Sequence, residues 1–119
     1  MIKVEEIHSI IKQAAKAWMT GNADAFAQLF APDGKFIVPG YSYVGQTAIQ
    51  QVTAEFAATH SDVKIEIQQI LTDGNHAAVE WTWEDTNIET GKQQKAEDAI
   101  IVDFNDGLIT RWREYIDSI

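Results

Sequence analysis

AAVEWTWEDTNIETGKQQKAEDAIIVDFNDGLITRWREYI, from Ala77 to Ile116, alternates apolar and polar residues through three runs separated by turns. The runs are Ala77 to Ile88, Gln93 to Phe104 and Leu108 to Ile116. A period of two marks strands with one buried face. Thr90-Gly91 reads as a two-residue hairpin loop and Asn105-Asp106-Gly107 as a three-residue one. Together they predict an antiparallel β-meander.

Upstream, Val63, Ile65 and Ile67 alternate with Lys64, Glu66 and Gln68 in a further strand. The alternation slips at Gln69-Ile70-Leu71, which predicts a bulge or a strand end, and Asp73-Gly74-Asn75 is a turn. Before His60 the period changes to 3.6. A helix is expected from about Thr47 to about Thr59, with Ile49, Val52 and Phe56 on one face. Pro39 to Tyr43 reads as loop, and Lys35 to Val38 as a short strand after the turn at Asp33-Gly34. At the N-terminus, Val4, Ile7, Ile11, Ala14 or Ala15 and Trp18 form the apolar stripe of an amphipathic helix that Gly21 ends. Asn22 caps a short second helix carrying Phe26, Leu29 and Phe30, stopped by Pro32. The order is α-α-β-α-β-β-β-β. Helices lead and strands follow, which argues for an α+β fold rather than βαβ units.

The chain has 119 residues, enough for one domain and a real core without staples, so a single domain over 1–119 is expected. It has no cysteine, which rules out disulfides, thiol chemistry and thiolate zinc sites and fits a cytoplasmic, reducing location. The N-terminal segment is charged from Lys3 to Glu6 and does not read as a signal peptide, and no run approaches the length of a membrane span. The net charge is −9, and the nine basic residues are scattered. A nucleic acid or an anionic membrane needs a basic footprint, so neither is an expected partner. His8, His60 and His76 lie on unrelated elements, so no metal is expected. The seven glycines are isolated turn residues and form no phosphate loop.

Three stretches carry a resemblance over nearly the whole chain: WMTGNADAFAQLFAPDGKFIVPG from Trp18 to Gly40, VGQTAI from Val44 to Ile49, and DGLITRWREYID from Asp106 to Asp117. In these the chain resembles the SnoaL-like, polyketide cyclase-like branch of the nuclear transport factor 2-like superfamily. The resemblance implies a cystatin-like α+β barrel, a cone in which three helices pack on a strongly curved, mostly antiparallel sheet. It also implies an apolar pocket for a small organic molecule, and a homodimer through the outer face of the sheet. The superfamily hosts enzymes and binding domains alike, so residues must be carried over one by one. The ketosteroid-isomerase branch has a tyrosine donor where this chain has Ala14, a base aspartate where it has Val38, and a protonated aspartate near Ile100. The epoxide-hydrolase branch needs an arginine that the stretch Glu97 to Ile101 lacks, and the scytalone-dehydratase branch wants a histidine pair with tyrosines. The cyclases need only an acid/base carboxyl in the pocket, which this sequence can supply.

The loop lengths above set the strand register. They put Trp83 opposite Asp98, Trp81 opposite Ile100, Ile100 opposite Trp112, and Asp98 opposite Glu114. One face then carries Val79, Trp81, Trp83, Ile100, Val102, Phe104, Leu108, Trp112 and Ile116 with the carboxyls Asp98 and Glu114. Directly opposed carboxyls in an aromatic setting share a proton, which makes Asp98 and Glu114 the candidate catalytic pair, acting in cyclisation or isomerisation without a cofactor. A one-residue slip would instead turn Asp98 to solvent or to a cross-strand cation. Trp81, Trp83, Ile100 and Trp112 are the candidate ligand contacts from the sheet. Phe30 and Phe56 are the candidate contacts from the helices, and the resemblance adds Trp18 as a wall and Tyr41 and Tyr43 at the entrance. A non-catalytic small-molecule-binding or dimerisation domain is the alternative. The opposite face, with Glu80, Thr82, Glu84, Ala99, Arg111, Arg113 and Tyr115, would serve the dimer.

Overall fold

The N-terminal stripe folds as helix α1, Val4–Thr20, burying Ile7, Ile11, Ala14, Ala15, Ala17 and Trp18. Val4, expected on that stripe, lies one turn beyond the core and is exposed. Gly21 closes the helix in the left-handed region at φ +68°, its N–H bonded back to the last turn. Asn22 caps α2, Ala23–Ala27, its side chain accepting from the Ala25 N–H at 3.1 Å. The third helix is α3, Gln46–Thr59, with Ile49 and Thr53 fully packed. The structure, a computed structural model, describes residues 1–119.

The strands are six, two before α3 and four after it: β1 Phe30–Val38, β2 Tyr41–Val44, β3 His60–Asp73, β4 His76–Asn87, β5 Gln93–Asn105 and β6 Leu108–Ser118. They form one sheet in the order β2-β1-β6-β5-β4-β3, in which only β1 and β6 run parallel. This is the expected α+β cone, three helices on a mostly antiparallel sheet. Two elements differ from the expectation. Pro39-Gly40 is a tight turn rather than the start of a loop, so Tyr41–Val44 pairs back on β1 as an edge strand. Phe30 opens β1 instead of closing α2, because Gln28 is the last helical cap and Phe30 already pairs with Ile109.

Gly34 explains how β1 meets β6. A Cβ there would stand 2.8 Å from the Ile109 carbonyl oxygen and 3.0 Å from that of Ala31. Both obstacles are backbone, so only glycine fits.

The meander keeps most of the expected faces but not the expected register. The β4–β5 connection is wider than Thr90-Gly91. Asn87 Oδ1 accepts from the Glu89 and Thr90 N–H groups at 3.0 and 3.1 Å, and the last paired residues are Thr86 and Gln93. The β5–β6 turn is tighter, with only Asp106 and Gly107 at positive φ between the paired Asn105 and Leu108. A bulge then follows: Phe104 pairs with Ile109 but Asp103 with Arg111, leaving Thr110 unpaired. Each hairpin is thereby displaced two residues from the expected register. Two is the period of a strand, so the side chains beyond the bulge keep their faces. Leu108, expected on the concave face, does not: before the bulge the register is off by one, and Ile109 opposite Phe104 takes the core position, fully buried. The slip expected near Gln69 occurs at Gln68, between the pairs Ile67–Trp81 and Gln69–Glu80.

Candidate functional site

The concave face of the sheet is wider than the helices that cover it. A cavity of about 490 Å³ remains, within the range of small-molecule sites. Trp18 from α1, Phe36 from β1, Tyr43 from β2, Phe56 from α3 and Trp83 from β4 supply its aromatic lining. Trp18, Phe56 and Trp83 pack edge to face, with ring centroids 5.5–5.7 Å apart. Three carboxyls, Asp85, Asp98 and Glu114, line the same cavity.

Each carboxyl accepts a hydrogen bond from an indole. Trp83 Nε1 donates to Asp85 Oδ2 at 2.6 Å, Trp81 Nε1 to Asp98 Oδ2 at 3.1 Å, and Trp112 Nε1 to Glu114 Oε1 at 3.1 Å. The first and third pairs are two residues apart on one strand, so the strand's own period sets them side by side. The second crosses from β4 to β5, where Trp81 stands opposite Asp98. Asp85 and Asp98 are 3% and 6% exposed, and each leaves its Oδ1 without a partner. The Trp18 Nε1 is buried and unpartnered as well.

Burial raises both members of the expected catalytic pair. Asp98 is pushed up to about 6 by desolvation, against the lowering effect of the Trp81 hydrogen bond. Glu114 is pushed up to about 8 by desolvation, with the Trp112 hydrogen bond opposing and the nearby Asp98 charge adding to the rise. As a residue Glu114 is only half-buried, and its carboxyl is the enclosed end. The two are not directly opposed as the loop counts implied. Asp98 faces Ile116 and Glu114 faces Ile100, so they are diagonal neighbours on one face. Near pH 7 this favours an ionised Asp98 beside a protonated Glu114, a base and an acid in one cavity.

The structure divides the remaining expected contacts. Trp18, Tyr43, Phe56 and Trp83 line the cavity. Trp81, Ile100, Trp112 and Phe30 do not, because their side chains are fully packed in the core beneath it. Tyr41 also stands apart: it shares a face with Tyr43, two residues on, but lies at the end of the edge strand beside the Pro39-Gly40 turn, where it is 66% exposed. His60 caps α3 and stacks on Phe56 at 4.1 Å, while His76 pairs with Asp103 at 2.7 Å. No group of three or more histidine and carboxylate side chains is arranged to hold a metal ion. No helix is long and apolar enough to cross a membrane. Asp85 escaped the sequence reading, although it continues the series Val79, Trp81, Trp83 by the same step of two. The signal was available in Trp83-Glu84-Asp85 and Trp112-Arg113-Glu114: a tryptophan and a carboxyl separated by one outward residue.

The sequence pattern described as the SnoaL-like domain matches residues 11–112, most of the chain. This chain belongs to the SnoaL-like domain family. Solved structures agree on its fold. A ketosteroid isomerase-like protein from Catenulispora acidiphila DSM 44928, in complex with trimethylamine, is 23% identical with a TM-score of 0.83, over 89% of this chain and 83% of that one. An LEH-like epoxide hydrolase of M. tuberculosis is 18% identical with a TM-score of 0.82, over 95% and 84%. TsrD from Streptomyces laurentii is 14% identical with a TM-score of 0.85, over 98% and 92%. No curated protein matches the chain. At these identities the neighbours bear on the fold of this SnoaL-like domain alone, and its chemistry has to be argued from its own residues.

Proposed function

We propose that this SnoaL-like domain binds a small organic molecule in the cavity between sheet and helices and moves a proton on it, with Asp98 as base and Glu114 as acid, in a cyclisation or isomerisation that needs no cofactor. One observation carries the reading. Two neighbouring carboxyls in a cavity with an aromatic wall have their ionisations raised to different levels, about 6 for Asp98 and about 8 for Glu114. That separation equips one site with both proton acceptor and proton donor near neutral pH. The indole hydrogen bonds hold both groups in fixed orientations, so little reorganisation is needed when charge moves.

The test is a carbon-detected NMR titration of the side-chain carboxyls. Asp98 and Glu114 should titrate in separate steps near the two values above, and each step should shift the resonance of the other group. Both groups ionising together in the ordinary carboxylate range would remove the proton chemistry and leave a binding cavity.

A second, non-catalytic reading is favoured by the unpartnered Trp18 Nε1 and the two unpartnered aspartate oxygens, which suit ligand recognition without turnover. In either case we propose a homodimer formed through the outer face of the sheet, where Ile101 and Tyr115 are exposed beside Arg113.

A further inference from the structure

Asp85 takes no part in the proton chemistry proposed above, yet it is the most enclosed of the three carboxyls by residue exposure, at 3%. Its Oδ2 is held by the Trp83 indole and its Oδ1 has no partner. A buried carboxyl oxygen without a donor costs about 1–3 kcal/mol or more. Folding keeps that cost where a bound molecule can relieve it.

The charges around the cavity narrow the chemistry of that molecule. The two ion pairs of the structure are His76–Asp103 and Lys95–Glu84, and neither includes Asp85, Asp98 or Glu114. Lys92 and Lys95 also line the cavity, but both are exposed, and Lys95 is engaged by Glu84 at 3.5 Å. An anionic ligand would enter beside the ionised Asp98 and the acceptor-rich Asp85 with no buried cation to receive it. A purely apolar ligand would leave the unpartnered carboxyl oxygens of Asp85 and Asp98 without a donor. A ligand with a positive charge and an N–H group meets both demands. The aromatic wall of Trp18, Phe56 and Trp83 suits it further, since ring faces attract cations and leave the ligand's apolar part in contact with carbon.

We infer that the ligand of this cavity is an organic amine bound as its ammonium ion, with Asp85 Oδ1 receiving the N–H and the aromatic wall covering the rest. Asp85 is then a ligand-binding residue that sets specificity and leaves the proton transfer to Asp98 and Glu114. The inference rests on the cavity being a ligand site, but not on catalysis.

The probes are benzyldimethylamine, protonated at neutral pH, and its uncharged carbon counterpart isobutylbenzene, each titrated calorimetrically into the intact protein. The amine should bind at least about tenfold more tightly. Asp85→Asn should bring the two within about threefold of each other while leaving the affinity for isobutylbenzene unchanged, because asparagine can still accept from Trp83. If that variant fails to fold, the wild-type indole resonances serve instead. The amine, and not the hydrocarbon, should shift the Trp83 N–H more than that of Trp112. Equal affinities for the two probes, or a Trp83 resonance indifferent to the amine, overturn the inference and leave the acid/base reading intact. Binding of neither probe overturns the ligand cavity itself, and this inference with it.

Discussion

Glu114 and Asp98 oppose folding when they are ionised. A carboxyl whose ionisation is raised in the folded state holds its proton more tightly there than in the unfolded chain. The native state therefore binds more protons between the two pKa values, and stability falls as pH rises through that window. For Asp98 the window runs from 3.8 to about 6, and for Glu114 from 4.5 to about 8. Their contribution is fully present below the lower values, is lost as pH climbs through the upper ones, and is constant above them. Glu114→Gln mimics the protonated form and should flatten the alkaline part of this profile, making the variant the more stable protein at about pH 9. Thermal melts of both proteins from about pH 5 to pH 9 check it. A variant whose melting temperature follows the wild-type slope throughout would show that Glu114 is not held protonated by the fold. The variant also isolates this residue from the general repulsion of a chain with net charge −9, which acts on both proteins alike.

At the scale of elements, the β1–β6 junction depends on one missing side chain. Gly34 has an ordinary φ, so its role is space alone: the added methyl of Gly34→Ala would press on the Ile109 carbonyl at 2.8 Å. The backbone must yield, at a cost of about 1–3 kcal/mol, read as a lower denaturant midpoint with an unchanged m-value. A variant as stable as wild type would mean that the two strands can separate at that point without loss. The same junction marks a boundary of what sequence reveals. The helices and the long strands were legible because burial repeats along them, at 3.6 in α1 and at two in β4 and β5. The edge strand β2 was not, since Tyr41 to Val44 is mostly exposed and follows Pro39-Gly40, a pair that equally suits a loop. Register was not legible either. It depends on Asn87 capturing two loop N–H groups and on the bulge at Thr110, which buries Ile109 in place of Leu108, and neither is written in the apolar–polar pattern of the sequence. Asp98 and Glu114 could be assigned to the cavity because parity survived a two-residue error. Which indole each carboxyl meets required the actual register.

For the molecule as a whole, the charge distribution bears on self-association. The outer face of the sheet presents Leu71, Ile101 and Tyr115 exposed, with Arg113 opposite Ile101 and its guanidinium 4.8 Å from the Tyr115 ring. An apolar strip bordered by cations and by Glu80 and Glu97 can match a second copy of itself about a two-fold axis. A standard interface covers about 800 Å² on each partner, a modest part of the 6923 Å² this chain exposes. Against it stands the repulsion of two bodies that each carry −9. That repulsion is long-ranged and is screened beyond about 10 Å at 0.1 M salt, whereas the apolar contact is not weakened by moderate salt. Dimerisation should therefore strengthen as ionic strength rises from about 0.02 to about 0.2 M, opposite to an interface held mainly by ion pairs. Sedimentation equilibrium at tens of micromolar, in both salts, gives the answer, with Ile101→Glu as the variant expected to remain monomeric because it sets a charge at the centre of the strip. A wild-type protein that is monomeric in both salts removes the dimer. A dimer that weakens with salt would keep the association but transfer its source from the apolar strip to the arginines beside it.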